Sequence, residues 1–314
     1  MDKSKTYPIV YLSGGLGNQL FQLASGLRLN SKRLTVNISQ IRGRFELYEF
    51  LNHLAHKRDI QIDVETSNPT RFFLAVHNYI LRSTQWKKSV HLKKLPIDFG
   101  SLVMRLRSPS GLNKFVTDYS RIRNSQGRLE NKAQIHLVGY FQNQDVANEI
   151  ANELAGYLDS ISLETDKKNS KQDSIAIVHV RRGDYSSEEK IGMLSLPYFR
   201  KAIGNVAYVH KNLDVKLFSN GDVDLEDLAT SSRIQGITLV DSDSALDLLN
   251  RMRNGRILII SNSTLSWWAA YLCANPNKLV LYPDPWFRNL PRPVNLCPET
   301  WEAVPAIWIE ENEG

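Results

Sequence analysis

The C-terminal half of the sequence has the most regular pattern: short apolar runs alternate with segments of helical apolar spacing. Strands that alternate with helices form a parallel sheet covered on both faces, so this pattern predicts an α/β domain. The predicted strands are 175–180, 215–219, 237–241, 257–261 and 278–282, and the predicted helices are 197–210, 224–229, 244–254 and 264–274.

The N-terminal half begins with a predicted strand, a glycine turn and a helix. A β-rich run from Tyr7 to Ser13 is closed by Gly14-Gly15, and helical spacing follows from about Asn18 to Leu29. This order is typical of the opening of an α/β unit. The other elements predicted in this half are strands 34–38 and 135–140 and helices 71–82 and 145–158.

The length of 314 residues indicates about two domains. We expect an N-terminal α/β domain over residues 1–165, a C-terminal α/β domain over 174–295 and a C-terminal tail over 296–314. The polar stretch 165–174 has no apolar anchor and is the expected linker. A cleft between two such domains is a common place for a ligand site.

The net charge of +6 is unevenly distributed along the chain. Residues 1–130 hold 21 Lys and Arg against 9 Asp and Glu, whereas residues 131–314 hold 18 against 24. A basic N-terminal half suggests a polyanionic partner, which could be nucleic acid, an anionic membrane or a phosphorylated substrate. None of the standard nucleic-acid-binding motifs is present, so we expect no nucleic-acid partner.

Cysteine content and hydropathy narrow the class of protein further. Cys273 and Cys297 are too few for a disulfide scaffold or a four-ligand zinc site, and they either form one bridge or remain two unpaired thiols. No apolar run approaches the roughly 18 residues of a membrane span, and the N-terminus has no long apolar segment with a cleavage site. We therefore expect a soluble, cytoplasmic protein.

The glycine turn near the N-terminus is the first candidate binding element. Its glycines, in the run GGLGNQ (14–19), would let backbone N–H groups approach a phosphate at a helix start. The dinucleotide-binding fingerprint is not met, because Leu20 stands where its third glycine belongs. The glycines either only turn the chain or help to bind an anion. Asn18 and Gln19 favour binding, because their amides can donate hydrogen bonds.

The second candidate, HVRRGDY (179–185), follows an apolar predicted strand. Ligands of open α/β sheets bind beyond the carboxyl ends of the strands, where these residues are expected. Arg181 offers a planar fork to a diphosphate, and His179 can hydrogen-bond a base or a phosphate oxygen. The alternative, above all for Arg182 and Asp184, is an ion pair that stabilises the turn.

Two further candidates lie at predicted helix starts. In ISNSTLSWWAAYL (260–272), Ser263 or Thr264 either caps the helix or joins free N–H groups in an anion site. Asp247 falls opposite the apolar face of helix 244–254, so periodicity alone predicts a solvated carboxylate near the helix N-terminus.

The chain thus carries, in order, the motifs GGLGNQLFQLASG, HVRRGDY and SNSTLSWWAA. Together these resemble glycosyltransferase family 11, the α-1,2-fucosyltransferases, and the bacterial members most. The resemblance spans nearly the whole chain, although the stretch from about Phe72 to Arg128 shows little of the family pattern. It implies an α/β fold of the GT-B type, with two Rossmann-like domains facing across a cleft. The N-terminal domain would be the acceptor side, and the C-terminal domain would bind GDP-fucose.

The resemblance also implies an inverting transfer of L-fucose to the 2-hydroxyl of a terminal galactose, without a bound metal or another cofactor. It implies that Arg181 contacts the β-phosphate of the donor and that His179 contacts the nucleotide. Asp247 would bind the guanine edge, and Ser263 and Thr264 would bind phosphate. Asn18 would contact the donor near fucose. Asp184 is the carboxylate best placed to take the acceptor proton, with Glu188 and Glu189 as rivals. An unassisted route with late proton transfer stays open.

GDP-fucose does not explain the basic N-terminal half. We expect residues from Arg82 to Arg128 to face an anionic membrane or a lipid-pyrophosphate-linked glycan, which would place the enzyme at the inner face of the cell membrane. The expected process is O-antigen or related surface polysaccharide synthesis. The alternatives are another linkage or sugar nucleotide on the same fold, and a non-catalytic protein that binds a nucleotide or an anionic glycan.

Overall fold

The structure is a computed structural model that describes residues 7–67, 113–116, 134–162, 175–183, 189–210, 213–232, 234 and 236–310. Its helices are α1 (Leu16–Leu27), α2 (Tyr48–Arg58), α3 (Gln144–Ala147), α4 (Ala151–Ile161), α5 (Leu196–Val209), α6 (Leu225–Ser232), α7 (Ala245–Met252) and α8 (Thr264–Leu272). Its strands are β1 (Ile9–Tyr11), β2 (Arg33–Asn37), β3 (Gln61–Glu65), β4 (Asn113–Val116), β5 (Gln134–Leu137), β6 (Ile175–Val180), β7 (Asp214–Ser219), β8 (Ile237–Leu239), β9 (Ile257–Ile259), β10 (Leu279–Asp284) and β11 (Glu302–Pro305).

The chain divides into two compact units. Unit 1 comprises Met1–Tyr157 and Pro293–Leu296, and unit 2 comprises Leu158–Arg292 and Cys297–Gly314. The division falls within α4 rather than in the expected linker 165–174, which lies outside the described residues. Tyr157 packs against the rings of Phe50 and His53 in unit 1, whereas Asp159 forms an ion pair with Arg253 in unit 2. The contacts of α4 therefore change from one unit to the other within a single turn.

Unit 1 is built on a parallel sheet with the strand order β3-β2-β1-β5-β4. Helix α1 follows β1 and is almost entirely buried, and its Gly26 lies against Leu34 of β2. The predicted strand 7–13 is shortened to β1, and the first helix begins at Leu16 because Gly15 is its N-cap. The predicted helix 145–158 is divided into α3 and α4, and the predicted helix 71–82 lies outside the described residues.

Unit 2 is built on a second parallel sheet, ordered β11-β10-β9-β6-β7-β8. All six residues of β6 are buried at its centre, which agrees with the apolar run predicted as strand 175–180. Residues 302–305, assigned by the sequence to a C-terminal tail, instead form β11 and pair with β10. Val304 is the buried residue of that four-residue strand, and one buried position gives no recognisable period.

Two parallel sheets, one in each unit, confirm the predicted α/β class with two domains. The sequence left open whether Cys273 and Cys297 form a disulfide bridge. In the structure both are free thiols. Among the described helices, none is both long and apolar enough to cross a membrane.

Candidate functional site

The order of strands in unit 2 locates a candidate site at the carboxyl ends of β6 and β9. These two strands are neighbours, with β7 and β8 on one side of the pair and β10 and β11 on the other. The chain therefore reverses its direction of winding between them, and ligands of open α/β sheets bind in the crevice at such a point. The end of β6 and the segment that follows it contain His179 to Gly183, and the segment that follows β9 contains Ser261 to Thr264.

His179 is the penultimate residue of β6 and is only 1% exposed. Its Nδ1 lies 3.2 Å from the Oγ of Ser261, which follows β9. The other ring nitrogen, Nε2, is buried and has no hydrogen-bond partner among the described residues. Burial, together with the nearby charge of Arg181, lowers the pKa of His179 to about 3. The imidazole is therefore neutral near pH 7, with one nitrogen held by the protein.

The two arginines that follow β6 have different surroundings. Arg182 is held by two hydrogen bonds. Its guanidinium donates to the main-chain carbonyl of Leu194 at 2.7 Å, and its backbone N–H donates to the side-chain Oδ1 of Asn220 at 2.6 Å. Gly183 then turns the chain with a φ of +64°, and a Cβ there would lie 2.7 Å from Asn220 Nδ2. Arg182 is therefore bonded to Leu194 and Asn220 beside the turn. Its ion pair with Asp184 stays a prediction.

Arg181 is half-buried, and its charge contributes to the lowered pKa of His179. The two residues therefore interact electrostatically at the end of β6. Asp184, the proposed ion-pair partner of Arg182, lies outside the described residues, as does Glu188. Glu189 is described and is exposed.

Ser263 is the N-cap of α8, with extended backbone angles of −111° and 128°. Its side chain is buried but forms no capping hydrogen bond within the described part of the chain. The carbonyl of Ser263 instead accepts from Trp267 N and from Ser266 Oγ. The first-turn N–H groups of α8, beside the hydroxyls of Ser263 and Thr264, can therefore bind an anion.

Asp247 lies in the first turn of α7, which packs against α8. Its N–H donates to the Oγ of the N-cap Ser244, and its carboxylate accepts from Asp243 N at 3.2 Å, so two backbone N–H groups at the helix start have partners. The carboxylate also pairs with Arg251 at 3.0 Å. Periodicity had predicted a solvated carboxylate, but Asp247 is half-buried and its carboxylate is hydrogen-bonded. Its contact with guanine stays a prediction.

The glycine turn lies in unit 1, at the carboxyl end of β1. Gly14 has a φ of +73°. Two glutamines hold the turn: Gln19 Nε2 donates to the carbonyl of Gly14, and Gln22 Oε1 accepts from the backbone N–H of Ser13. Asn18, in the first turn of α1, accepts a hydrogen bond from Gln142 Nε2 at 2.9 Å. The turn therefore has a defined shape, and the role of Asn18 at the donor stays a prediction.

A supporting layer beneath the site comes from residues that the sequence did not single out. Asn262 donates to the carbonyls of Ile191 and Gly192, and Tyr198 Oη donates to the carbonyl of Ile260 at 2.9 Å. Gly192 has a φ of +77°, and a Cβ there would lie 2.6 Å from Arg288 Cβ. These bonds fix the segment that leaves β9. Long-range partners of this kind leave no local pattern in the sequence.

The described ranges contain no group of three or more His, Cys, Asp and Glu residues that could hold a metal ion. Asp241 and Asp243, which follow β8, are both exposed. The expectation that the reaction needs no metal stays a prediction.

Three comparisons with known proteins bear on this site. A family model described as Glycosyl transferase family 11 matches residues 110–284. The O-antigen biosynthesis glycosyltransferase WbnK of Escherichia coli is 28% identical over 303 residues, which cover 88% of this chain and 93% of that protein. An alpha-1,2-colitosyltransferase of Escherichia coli is 25% identical over 309 residues, which cover 94% and 98%.

The fucosyltransferase NodZ from Bradyrhizobium has a solved structure with a TM-score of 0.46 and 14% identity, covering 85% of this chain and 93% of NodZ. The matched family region includes both segments that leave β6 and β9. Because this region is more than half of the sequence, the chain is a glycosyltransferase that belongs to glycosyltransferase family 11.

Proposed function

We propose that this enzyme transfers L-fucose from GDP-fucose to the 2-hydroxyl of a terminal galactose in a glycan, as a step in O-antigen or related surface polysaccharide synthesis. The glycosyltransferase class follows from the family, and the sugar, linkage and process are the proposal. The name of WbnK supports the process, since it is an O-antigen biosynthesis glycosyltransferase. The name of the second relative supports an α-1,2 linkage.

The observation that carries the proposal is that β6 and β9, which are followed by Arg181 and by the start of α8, are neighbouring strands at the switch point of unit 2. A guanidinium and a set of helix N–H groups are both donors to anionic oxygen. A diphosphate at the ends of β6 and β9 would receive hydrogen bonds from both. Arg181 would contact its β-phosphate, and Ser263 and Thr264 would bind the phosphates from the helix start.

The transfer itself is an in-line displacement. The acceptor oxygen forms a bond to the anomeric carbon of fucose while the bond from that carbon to the β-phosphate oxygen breaks, so the configuration inverts. The electron pair of the broken bond stays on GDP, and Arg181 with the helix N–H groups stabilises its charge. The hydroxyl proton passes to a carboxylate, for which Asp184 is our choice over Glu188 and Glu189, or leaves late to solvent.

Two further contacts would complete the donor site. Asp247 would accept from the N1 and N2 hydrogens of guanine, because a carboxylate with two oxygens suits two adjacent donors. Asn18 would contact the donor near fucose. The basic region from Arg82 to Arg128 would meet a lipid-pyrophosphate-linked acceptor or an anionic membrane surface, which would place the enzyme in the cytoplasm, at the inner face of the cell membrane.

A second candidate keeps the α-1,2 linkage but changes the sugar. Its support is the name of the second relative, an alpha-1,2-colitosyltransferase at 25% identity. A panel of GDP-linked and UDP-linked sugars, offered with the same galactosides, separates the two candidates by the sugar found in the product.

The test of the proposed function is incubation with GDP-fucose and galactosides, with GDP release followed and the product linkage determined by NMR. We expect acceptor-dependent release, an α-1,2 product and no loss of activity with a chelator. Arg181→Ala should lower turnover about 10²–10³-fold. Arg181→Lys should recover only part of it, because lysine lacks the planar fork. GDP binding without acceptor-dependent turnover would instead support a non-catalytic binding protein.

A further inference from the structure

His179 and Ser261 form a buried polar pair across the switch point. They leave neighbouring strands and are 82 residues apart in the sequence, and each is only 1% exposed. The distance of 3.2 Å from Ser261 Oγ to His179 Nδ1 is within hydrogen-bond range. Only one of the two atoms can supply the proton of this bond, so the pair fixes which ring nitrogen is protonated.

The hydroxyl proton of Ser261 settles the direction of that bond. Among the described residues, His179 Nδ1 is the acceptor that the structure gives to this hydroxyl. If Nδ1–H donated instead, both the hydroxyl proton and the Nε2 lone pair would lack a partner among the described residues, whereas donation by Ser261 leaves only the Nε2–H without one, so Ser261 donates to Nδ1. Nδ1 is then unprotonated. Since the ring is neutral, its single proton lies on Nε2.

We infer that Ser261 is a positioning residue that holds His179 as its Nε2–H tautomer, so that the ring donates a hydrogen bond to an oxygen of the bound nucleoside diphosphate. This inference rests on the proposed function for the identity of the ligand. Its support is that Nε2 has no acceptor within the described ranges, although the atom is buried.

The tautomer decides the sign of the interaction with the ligand. A proton on Nε2 attracts an anionic oxygen of a diphosphate, whereas a lone pair on Nε2 would repel the same atom. A neutral donor also has a practical advantage here, because Arg181 already supplies a positive charge close to the ring. Ser261 would thus affect binding without touching the ligand.

The tautomer can be measured directly by NMR on the full chain with ¹⁵N-labelled histidine, assigned with His179→Gln. We expect Nδ1 to have the resonance of an unprotonated nitrogen and Nε2 that of a protonated one. Ser261→Ala should shift the Nδ1 resonance, because the hydroxyl that donates to it is gone. Ser266→Ala is the matched control: it removes another buried hydroxyl, whose described bonds go to the carbonyls of Ser261 and Ser263.

GDP binding, measured by calorimetry, gives the functional readout. Ser261→Ala should weaken binding about tenfold, close to the free energy of one hydrogen bond. Ser261→Cys, which keeps a weak donor, should fall between this variant and the unchanged protein. Ser266→Ala should bind GDP within about threefold of the unchanged protein.

The two readouts distinguish failure of this inference from failure of the proposed function. A proton on Nδ1, or a Ser261→Ala variant with unchanged Nδ1 resonance and GDP affinity, overturns the positioning role. A protein that shows the Nε2–H tautomer but binds no GDP contradicts the proposed donor and the ligand assigned to His179. In that case the role of Ser261 towards the ring is still decided by the Nδ1 resonance.

Discussion

Asn18 and Gln142 are 124 residues apart in the sequence, yet their carboxamides meet at the glycine turn of unit 1. Gln142 Nε2 donates to Asn18 Oδ1 at 2.9 Å. This bond fixes the orientation of the Asn18 amide, because its oxygen is held and its nitrogen must point elsewhere. That nitrogen lies 3.0 Å from the position that a Cβ on Gly14 would take. Asn18 therefore presents N–H donors at the exposed turn.

This relationship predicts that Gln142 supports the proposed contact of Asn18 with the donor. In Gln142→Leu the Asn18 amide can rotate, so we expect kcat/KM for GDP-fucose to fall about tenfold. Gln144→Leu is a matched control, since Gln144 donates to the exposed Asn295 in the same unit, and it should change kcat/KM less than about twofold. Steady-state kinetics of both variants check this. Equal values for the two variants would contradict a role for the Asn18 orientation.

The sequence predicted most of unit 2 but less of unit 1, for physical reasons that particular elements show. Strand β6 is apolar throughout because both faces of the sheet are covered, so its residues form a continuous run. Helix α2 was missed because its buried residues, Phe50, Leu51 and Leu54, make a narrow stripe in a polar segment. Strand β3 is only partly buried and lies at the edge of its sheet, so its apolar pattern is weak.

The sequence predicted the location of the candidate site from one rule, that ligands of open α/β sheets bind at the carboxyl ends of the strands. Arg181 and Ser263 follow neighbouring parallel strands, β6 and β9, whose carboxyl ends share one edge of the sheet. Ser261 and Asn220 were missed because their bonds to His179 and Arg182 cross the sheet, and such pairs leave no local period. The bond from Asp247 N–H to the Ser244 hydroxyl did have a signal, the Ser244-x-x-Asp spacing, which periodicity alone overlooked.

Asp247 allows its two roles, in the fold and at the nucleotide, to be separated. Asp247→Asn should weaken GDP binding by about 2 kcal/mol, roughly thirtyfold, if the carboxylate accepts from guanine. Arg251→Gln removes the ion pair but leaves the carboxylate, and an ion pair of this kind contributes only about 0.3–0.5 kcal/mol. Calorimetry with GDP and ADP measures both effects. A similar loss in the two variants, with no change in preference for GDP, would assign Asp247 to the helix alone.

Gly192 is predicted to be a position where even alanine is not tolerated. A Cβ there would lie 2.6 Å from Arg288 Cβ and 2.8 Å from the Trp308 ring, at a φ of +77°. Gly192→Ala should therefore lower the free energy of unfolding by about 2–4 kcal/mol, from backbone strain and overpacking together.

Gly204→Ala in α5 is the control for Gly192→Ala. Apart from its chain neighbours and the backbone of its own helix, no heavy atom of the described residues lies within 4 Å of its added Cβ, and this change should raise the free energy of unfolding by about 0.5–1 kcal/mol. Urea titration followed by circular dichroism measures both variants. Equal stability of Gly192→Ala and the unchanged protein would mean that the segment from Ile191 to Leu194 repacks easily.

Two buried histidines predict a loss of stability in mild acid. Burial lowers the pKa of His136 to about 4, and burial with the Arg181 charge lowers that of His179 to about 3. Both rings stay neutral in the folded protein but gain a proton on unfolding below their ordinary pKa of about 6.5. The unfolded state then binds more protons, so the free energy of unfolding falls as the pH falls from about 6.5 towards 4.

Each ring should contribute a slope of up to about 1.4 kcal/mol per pH unit in this window. His136→Asn and His179→Asn keep a polar group near Nδ1, where Tyr11 and Ser261 bond, but remove the titrating ring. Urea titrations between about pH 4.5 and 6.5 should give a shallower dependence for each variant, and the shallowest for the double variant. A slope unchanged by both substitutions would show that carboxylates, rather than these two histidines, control the acid response of the fold.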